Sequence, residues 1–105
     1  MPGPLSIVVE RLGDVAVGRL GSHLGIEGHH ALKAAVDECL ADPGVSAVQL
    51  DLSAVEFADT TAVGMLLVQR ERCRLRDKAL TLTGCSGLAA DGLAVEVLER
   101  HFPVL

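Results

Sequence analysis

The stretch Asp51–Leu67 changes periodicity partway along, which calls for a fold that feeds a strand into a helix. Val48, Leu50 and Leu52 alternate with Gln49 and Asp51, the pattern of a strand with one buried face. From Thr60 onward the apolar residues recur at helical spacing instead. The chain crosses from one regime to the other at Asp59-Thr60-Thr61. Two hydroxyls and a carboxylate there coincide with the backbone N–H groups that a helix start leaves unpaired. Such a terminus can cap itself or accept a phosphate, and local chemistry leaves both readings open.

The rest of the chain supplies the partners this strand and helix need. Leu5 to Glu10, the turn residues Leu12-Gly13-Asp14, and Val15 to Leu20 read as a β-hairpin. Gly21–Gly28 reads as a Gly-rich loop that matches neither a dinucleotide fingerprint nor a P-loop. From His29, Leu32, Ala35, Val36, Cys39 and Leu40 form one helical stripe, with Lys33, Asp37 and Glu38 on the wet face. Asp42-Pro43-Gly44 stops that helix. The second helix is expected from about Thr60 towards Asp77. Leu80 and Leu82 mark a further strand, Gly84–Gly87 a turn, and Leu88–Arg100 a third helix weakened by Gly92. The order is ββαβαβα, an α/β chain whose crossover helices imply a mixed sheet with parallel pairs.

Length and charge narrow the function. A chain of 105 residues is one domain, residues 1–105, with a single core. Only Phe57 and Phe102 are aromatic, so that core is aliphatic and there is no platform for stacking bases. A net charge of −5 opposes a phosphate-tracking surface, and no nucleic-acid partner is expected. Cys39, Cys73 and Cys85 are widely spaced and odd in number, which suits buried free thiols in a reducing compartment. His29 and His30 are adjacent rather than one turn apart, and His23 and His101 have no neighbour at ligand spacing, so no metal is expected. No cofactor motif is present. The N-terminus lacks a signal peptide, and no apolar run reaches membrane-span length, so a cytoplasmic protein is expected. No spacing pairs a nucleophile with a base, and nothing tunes Glu56 or Asp59 for acid/base work, so the chain reads as a non-enzyme.

On the second helix, Ala62, Leu66 and Cys73 share one face while Val68 and Leu75 lie nearly opposite, beside Arg72 and Arg76. Ordinary surface aliphatics are the preferred reading of that second stripe. The competing one is a docking strip for a partner or a second copy.

Taken together, these residues resemble a stand-alone STAS domain of the anti-sigma factor antagonist type. The resemblance rests on Asp51-Leu52, Phe57, Asp59-Thr60-Thr61-Ala62-Val63-Gly64 and the aliphatic run Met65-Leu66-Leu67. Departures are Thr60 for the commoner Ser, Ala62 for Gly, and Gly21-Ser22-His23-Leu24 without a closing Asp. The resemblance implies a single α/β domain with a mixed sheet of about four to five strands and helices packed on it. It implies phosphorylation at Thr60 and a partner surface at Asp59, Thr61, Gly64, His23 and Leu24, to which the docking strip adds Val68. The implied partner is an anti-sigma factor kinase that lets go when Thr60 is phosphorylated, with room for a phosphatase and for a homodimer. The alternative it carries is a STAS adaptor subunit that regulates a membrane transporter of the lipid-transport ATP-binding cassette type through a constitutive interface.

Overall fold

In the computed structural model, residues 5–58 and 61–84 are described. The hairpin forms as expected: β1 (Ser6–Leu12) and β2 (Val15–Leu24) pair antiparallel around Gly13-Asp14. Gly13 has φ 64° while Asp14 stays at negative φ, which makes a type II′ turn, and its twist matches that of the strands. The Asp14 carbonyl accepts the Ser46 N–H at 2.7 Å, so the turn is pinned to the segment leading into β3.

A 3-10 turn, Ile26–Gly28, leads into α1 (His29–Ala41), followed by β3 (Ala47–Ala58), α2 (Thr61–Arg74) and β4 (Ala79–Thr83). The sheet order is β1-β2-β3-β4, with β2/β3 and β3/β4 parallel. A third helix over Leu88–Arg100 and the rest of the turn after Gly84 lie outside the described residues.

Both helices bury their stripes in one core. Leu32, Val36 and Cys39 of α1 and Ala62, Met65, Leu66 and Cys73 of α2 meet Ala16, Leu20, Val48, Leu50, Leu52, Leu80 and Leu82 of the sheet. α1 ends where expected: Asp42 is extended and its Oδ1 accepts the Gly44 N–H at 2.9 Å. Lys78 Nζ donates to the carbonyls of Cys39 and Asp42, at 3.3 and 2.9 Å, which satisfies orphan acceptors at that helix end.

Two strands run further than the residue pattern indicates. β2 continues through Gly21–Leu24, which the sequence reads as loop, and β3 continues past Leu52 to Ala58. The cause is visible in the register. Arg19 pairs with Asp51 but Gly21 with Ala54, and Ser22 pairs with Val55 but His23 with Phe57. At each step β3 carries one residue more than β2, which is a β-bulge. The first bulge moves the buried position from Leu52 to Val55, leaving Ser53 and Ala54 exposed. Alternation is broken, so the strand looks finished at Leu52 when it is not.

α2 ends three residues before the expected Asp77. Its last turn closes with Lys78 N–H on the Cys73 carbonyl at 2.9 Å and Asp77 N–H on the Arg74 carbonyl at 3.0 Å. These two bonds, with Asp77 at φ 56°, form a Schellman motif in which Asp occupies the left-handed position usually held by Gly.

Candidate functional site

The site is built where the parallel strands β2 and β3 finish side by side and the chain turns into α2. Their last pairs, His23 with Phe57 and Leu24 with Ala58, set the end of β2 beside the segment that precedes the helix. The 3-10 turn that follows β2 packs against α2. One end of the sheet therefore gathers three pieces: the end of β2, the 3-10 turn and the first turns of α2.

Asp59 and Thr60 lie outside the described residues, so their geometry carries no statement. Three of the other sequence-derived site residues come together. Thr61, Gly64 and Val68 are all exposed, and at helical spacing they form one outward face of α2. Val68 is 50% exposed, and Leu75 extends the same face further down the helix. A side chain added at Gly64 would meet nothing within 4 Å. Internal packing therefore does not require glycine there, although mid-helix glycine costs roughly 0.5–1 kcal/mol relative to alanine. What glycine does provide is a flat, open patch.

His23 sits at the border of this face, with its side chain 15% exposed and its Nδ1 2.8 Å from Glu27 Oε1. Leu24 requires a correction. It is fully buried in the core beneath the site, because the Gly21–Leu24 segment is strand and its side chain points to the helices. Leu24 supports the surface from below and does not meet a partner directly. One residue escaped the sequence reading: Ile26, on the 3-10 turn, is an exposed large aliphatic next to α2. Its only sequence signal is an isolated aliphatic inside a Gly-rich run.

Arg72, which the docking-strip reading sets beside Val68 and Leu75, has partners within the chain. Its guanidinium is ion-paired with Asp37 of α1 and donates to Gln69 Oε1 at 2.7 Å. Gln69 is the buried polar side chain of α2, and this bond satisfies its oxygen. The charge is thus used inside the molecule.

Below the site, Asp51 closes the β3–β4 ladder. Its Oδ1 accepts the Ser53 N–H at 2.9 Å. The Ser53 hydroxyl and then this backbone bond hold the Asp51 carboxyl below the usual carboxylate range, helped by Arg19 and Thr83. Gly84, at φ 71°, passes so close that a Cβ would lie 2.6 Å from the Ser53 nitrogen. This close approach is why the chain leaves β4 through a glycine.

Cys39 and Cys73 are buried free thiols. Burial, followed by the neighbouring Cys39, pushes the Cys73 thiol up to about 11, so it stays a neutral core residue near pH 7. Cys85 lies outside the described residues. Among the described residues, no group of three or more His, Cys, Asp or Glu side chains gathers to hold a metal ion. No described helix is long and apolar enough to cross a membrane.

A family model described as "Mlab, STAS domain" matches residues 7–102. No curated protein matches the chain. Among solved structures, an anti-sigma factor antagonist from Mycobacterium paratuberculosis is 22% identical with a TM-score of 0.77, over 95% of this chain and 84% of that one. The Bacillus cell fate determinant SpoIIAA in its phosphorylated form is 15% identical with a TM-score of 0.68, over 95% of this chain and 91% of that one. The murine anion transporter Slc26a9 is 14% identical with a TM-score of 0.65, over 90% of this chain and 16% of that one. At these identities the likeness is one of fold.

Proposed function

Because the chain belongs to the STAS domain family, we propose that it is a protein-binding module of the anti-sigma factor antagonist type, switched at Thr60. The observation that carries this reading is the outward face of α2. Thr61, Gly64 and Val68 present a nearly flat, weakly polar surface that begins immediately after Asp59-Thr60 in the chain. An anti-sigma factor kinase that covers this face, with His23 at its border, would meet a surface that follows Asp59-Thr60 directly in the chain.

The switch then needs only electrostatics. Transfer of a phosphoryl group to Thr60 adds about −1.5 to −2 charges. The positive end of the α2 dipole would tolerate that charge without unfolding the domain. Beside Asp59 it would create a dense negative spot. A complex built over a neutral hydroxyl would then have to desolvate a dianion, at a cost of several kcal/mol. Release would follow with no large conformational change, and a phosphatase would reset the module.

A second reading is favoured by the Mlab description of the matching family model. In it the chain is an adaptor subunit that regulates a lipid-transport ATP-binding cassette complex, and the same face is a constitutive interface with no kinase. Affinity capture from the native cell followed by mass spectrometry separates the two. A soluble ATP-dependent kinase, with Thr60 phosphorylated, supports the switch; a transporter ATPase supports the adaptor. In either case Thr60→Asp should keep a native circular dichroism spectrum. Unchanged kinase binding by that variant would sink the phospho-switch.

A further inference from the structure

The outer edge of β1 is unusual for a strand at the end of a sheet. No described strand pairs with it, and six of its seven residues are exposed, including Val8 at 60% and Val9 at 38%. Edge strands are ordinarily blunted by proline, lysine, a bulge or a projecting charge. Ser6–Leu12 contains no proline or lysine, and its register with β2 is unbroken from Ser6–Gly21 to Leu12–Val15. Its two charges are drawn back into the protomer. Glu10 accepts from Arg19 Nη1 at 2.9 Å, and Arg11 pairs with Asp42 while its Nε donates to the Gly13 carbonyl at 2.9 Å. The edge is left long, straight and locally neutralised.

The type II′ turn fixes which backbone groups face outward. Leu12 and Val15 flank the turn and bond to each other, so Leu12, Glu10, Val8 and Ser6 direct their N–H and C=O groups to β2. By alternation, Arg11, Val9 and Ile7 direct theirs to the open side. The side chains around Val8 read polar, apolar, apolar, apolar, polar: Ser6, Ile7, Val8, Val9, Glu10. That order is the same in either direction.

We propose that β1 is a self-association edge, and that two copies of this chain pair antiparallel through it about a twofold axis at Val8. In this register Val8 faces the partner's Val8, Ile7 faces the partner's Val9, and the Ser6 hydroxyl faces the partner's Glu10 carboxylate. Ile7 and Val9 are the outward-bonding residues, so each of their pairs exchanges two backbone hydrogen bonds. From Ser6 to Glu10 every position meets one of matching polarity, while Arg11 meets the partner's Leu5. Centring the axis on Glu10 or Arg11 would oppose like charges, and centring it on Val9 would set Glu10 against Val8 and Arg11 against Ile7. The two sheets join into one continuous sheet, a closed isologous arrangement that does not propagate. The proposal is independent of the function assigned to the α2 face.

Sedimentation from about 10 µM to 1 mM tests it. The native chain should show a concentration-dependent dimer. Val8→Lys opposes two cations across the axis, and Val9→Pro removes an outward N–H while sparing the hairpin bonds. Each should weaken dimerisation by more than about tenfold, with unchanged circular dichroism. The register has its own readout in a Cys85→Ser background. Val8→Cys brings two Cα atoms to about 4.5 Å, suited to a disulfide, so oxidation should give a covalent dimer. Glu10→Cys places them about 13 Å apart along the strand and should not cross-link. A monomer throughout the concentration range, a dimer indifferent to Val8→Lys and Val9→Pro, or cross-linking through position 10 instead of 8 overturns the proposal.

Discussion

Arg72 of α2 reaches across the core's outer rim to Asp37 of α1, and these two residues tie together the helices that cover the sheet. The same guanidinium satisfies the buried oxygen of Gln69. Arg72→Ala should therefore cost more than a surface charge normally would, on the order of 1–2 kcal/mol, because it also orphans a buried acceptor. The ion pair itself is half-exposed and contributes less. A double-mutant cycle with Asp37→Ala should give a coupling of roughly 0.5 kcal/mol. Urea denaturation of the four proteins measures both quantities. Native-like binding by Arg72→Glu would fit its internal role.

Gly64 separates stability from binding. Since nothing lies above it, Gly64→Ala should stabilise α2 by up to about 1 kcal/mol, measured as a higher melting temperature. Gly64→Arg should also fold, yet its long side chain would stand on the flat face and weaken the partner complex at least tenfold by titration calorimetry. Unimpaired binding by Gly64→Arg would remove this face from the interface.

At the other end of α2, Asp77 holds a conformation that costs most non-glycine residues about 1–2 kcal/mol. Asp tolerates it better than most. Asp77→Gly should stabilise the domain by about 0.5–1 kcal/mol, whereas Asp77→Val should destabilise it by a comparable or larger amount. Thermal melts of the two variants provide the check.

Acid should loosen the fold through Asp51. Its carboxyl is held below its ordinary value in the folded state, so the stability it contributes is fully present above the unfolded pKa near 3.9. That contribution is lost as the pH falls through the lower folded value. Melting temperature should be level from pH 7 to about 5 and fall below about pH 4. Asp51→Asn should lower stability at pH 7 and flatten the acid limb. An acid limb as steep in Asp51→Asn as in the native chain would assign the effect to other carboxylates, such as Asp14 and Glu71, whose values are also depressed.

What could be read from the residues follows from where burial is one-sided. The α1 stripe of Leu32, Val36 and Cys39 is legible because that helix buries one face and wets the other. Gly13-Asp14 is legible because a two-residue turn demands particular chemistry. The end of β2 is not, since the glycines of Gly21–Gly28 resemble a loop and Leu24 looks like its tip rather than core. β3 beyond Leu52 is hidden by the bulges. The Arg72–Asp37 tie was invisible for a different reason: its partners are 35 residues apart, and no local pattern reports where two helices will cross. The outward face of α2 was legible residue by residue, and the structure adds Ile26 beside it.

The two extra residues of β3 have a further consequence, because side-chain direction in a strand is a matter of counting. One surplus residue exchanges the faces of everything after it, and a second exchanges them back. A chain that lost only one of the pair would deliver the start of α2 with its inner and outer sides transposed, and the core would have to accept polar groups to keep the helix in place. Losing both would restore the facing but draw the helix start back along the sheet by about 7 Å, away from His23. Length variation between Leu52 and Phe57 should therefore be tolerated only in steps of two, and even then at the expense of the surface it aligns.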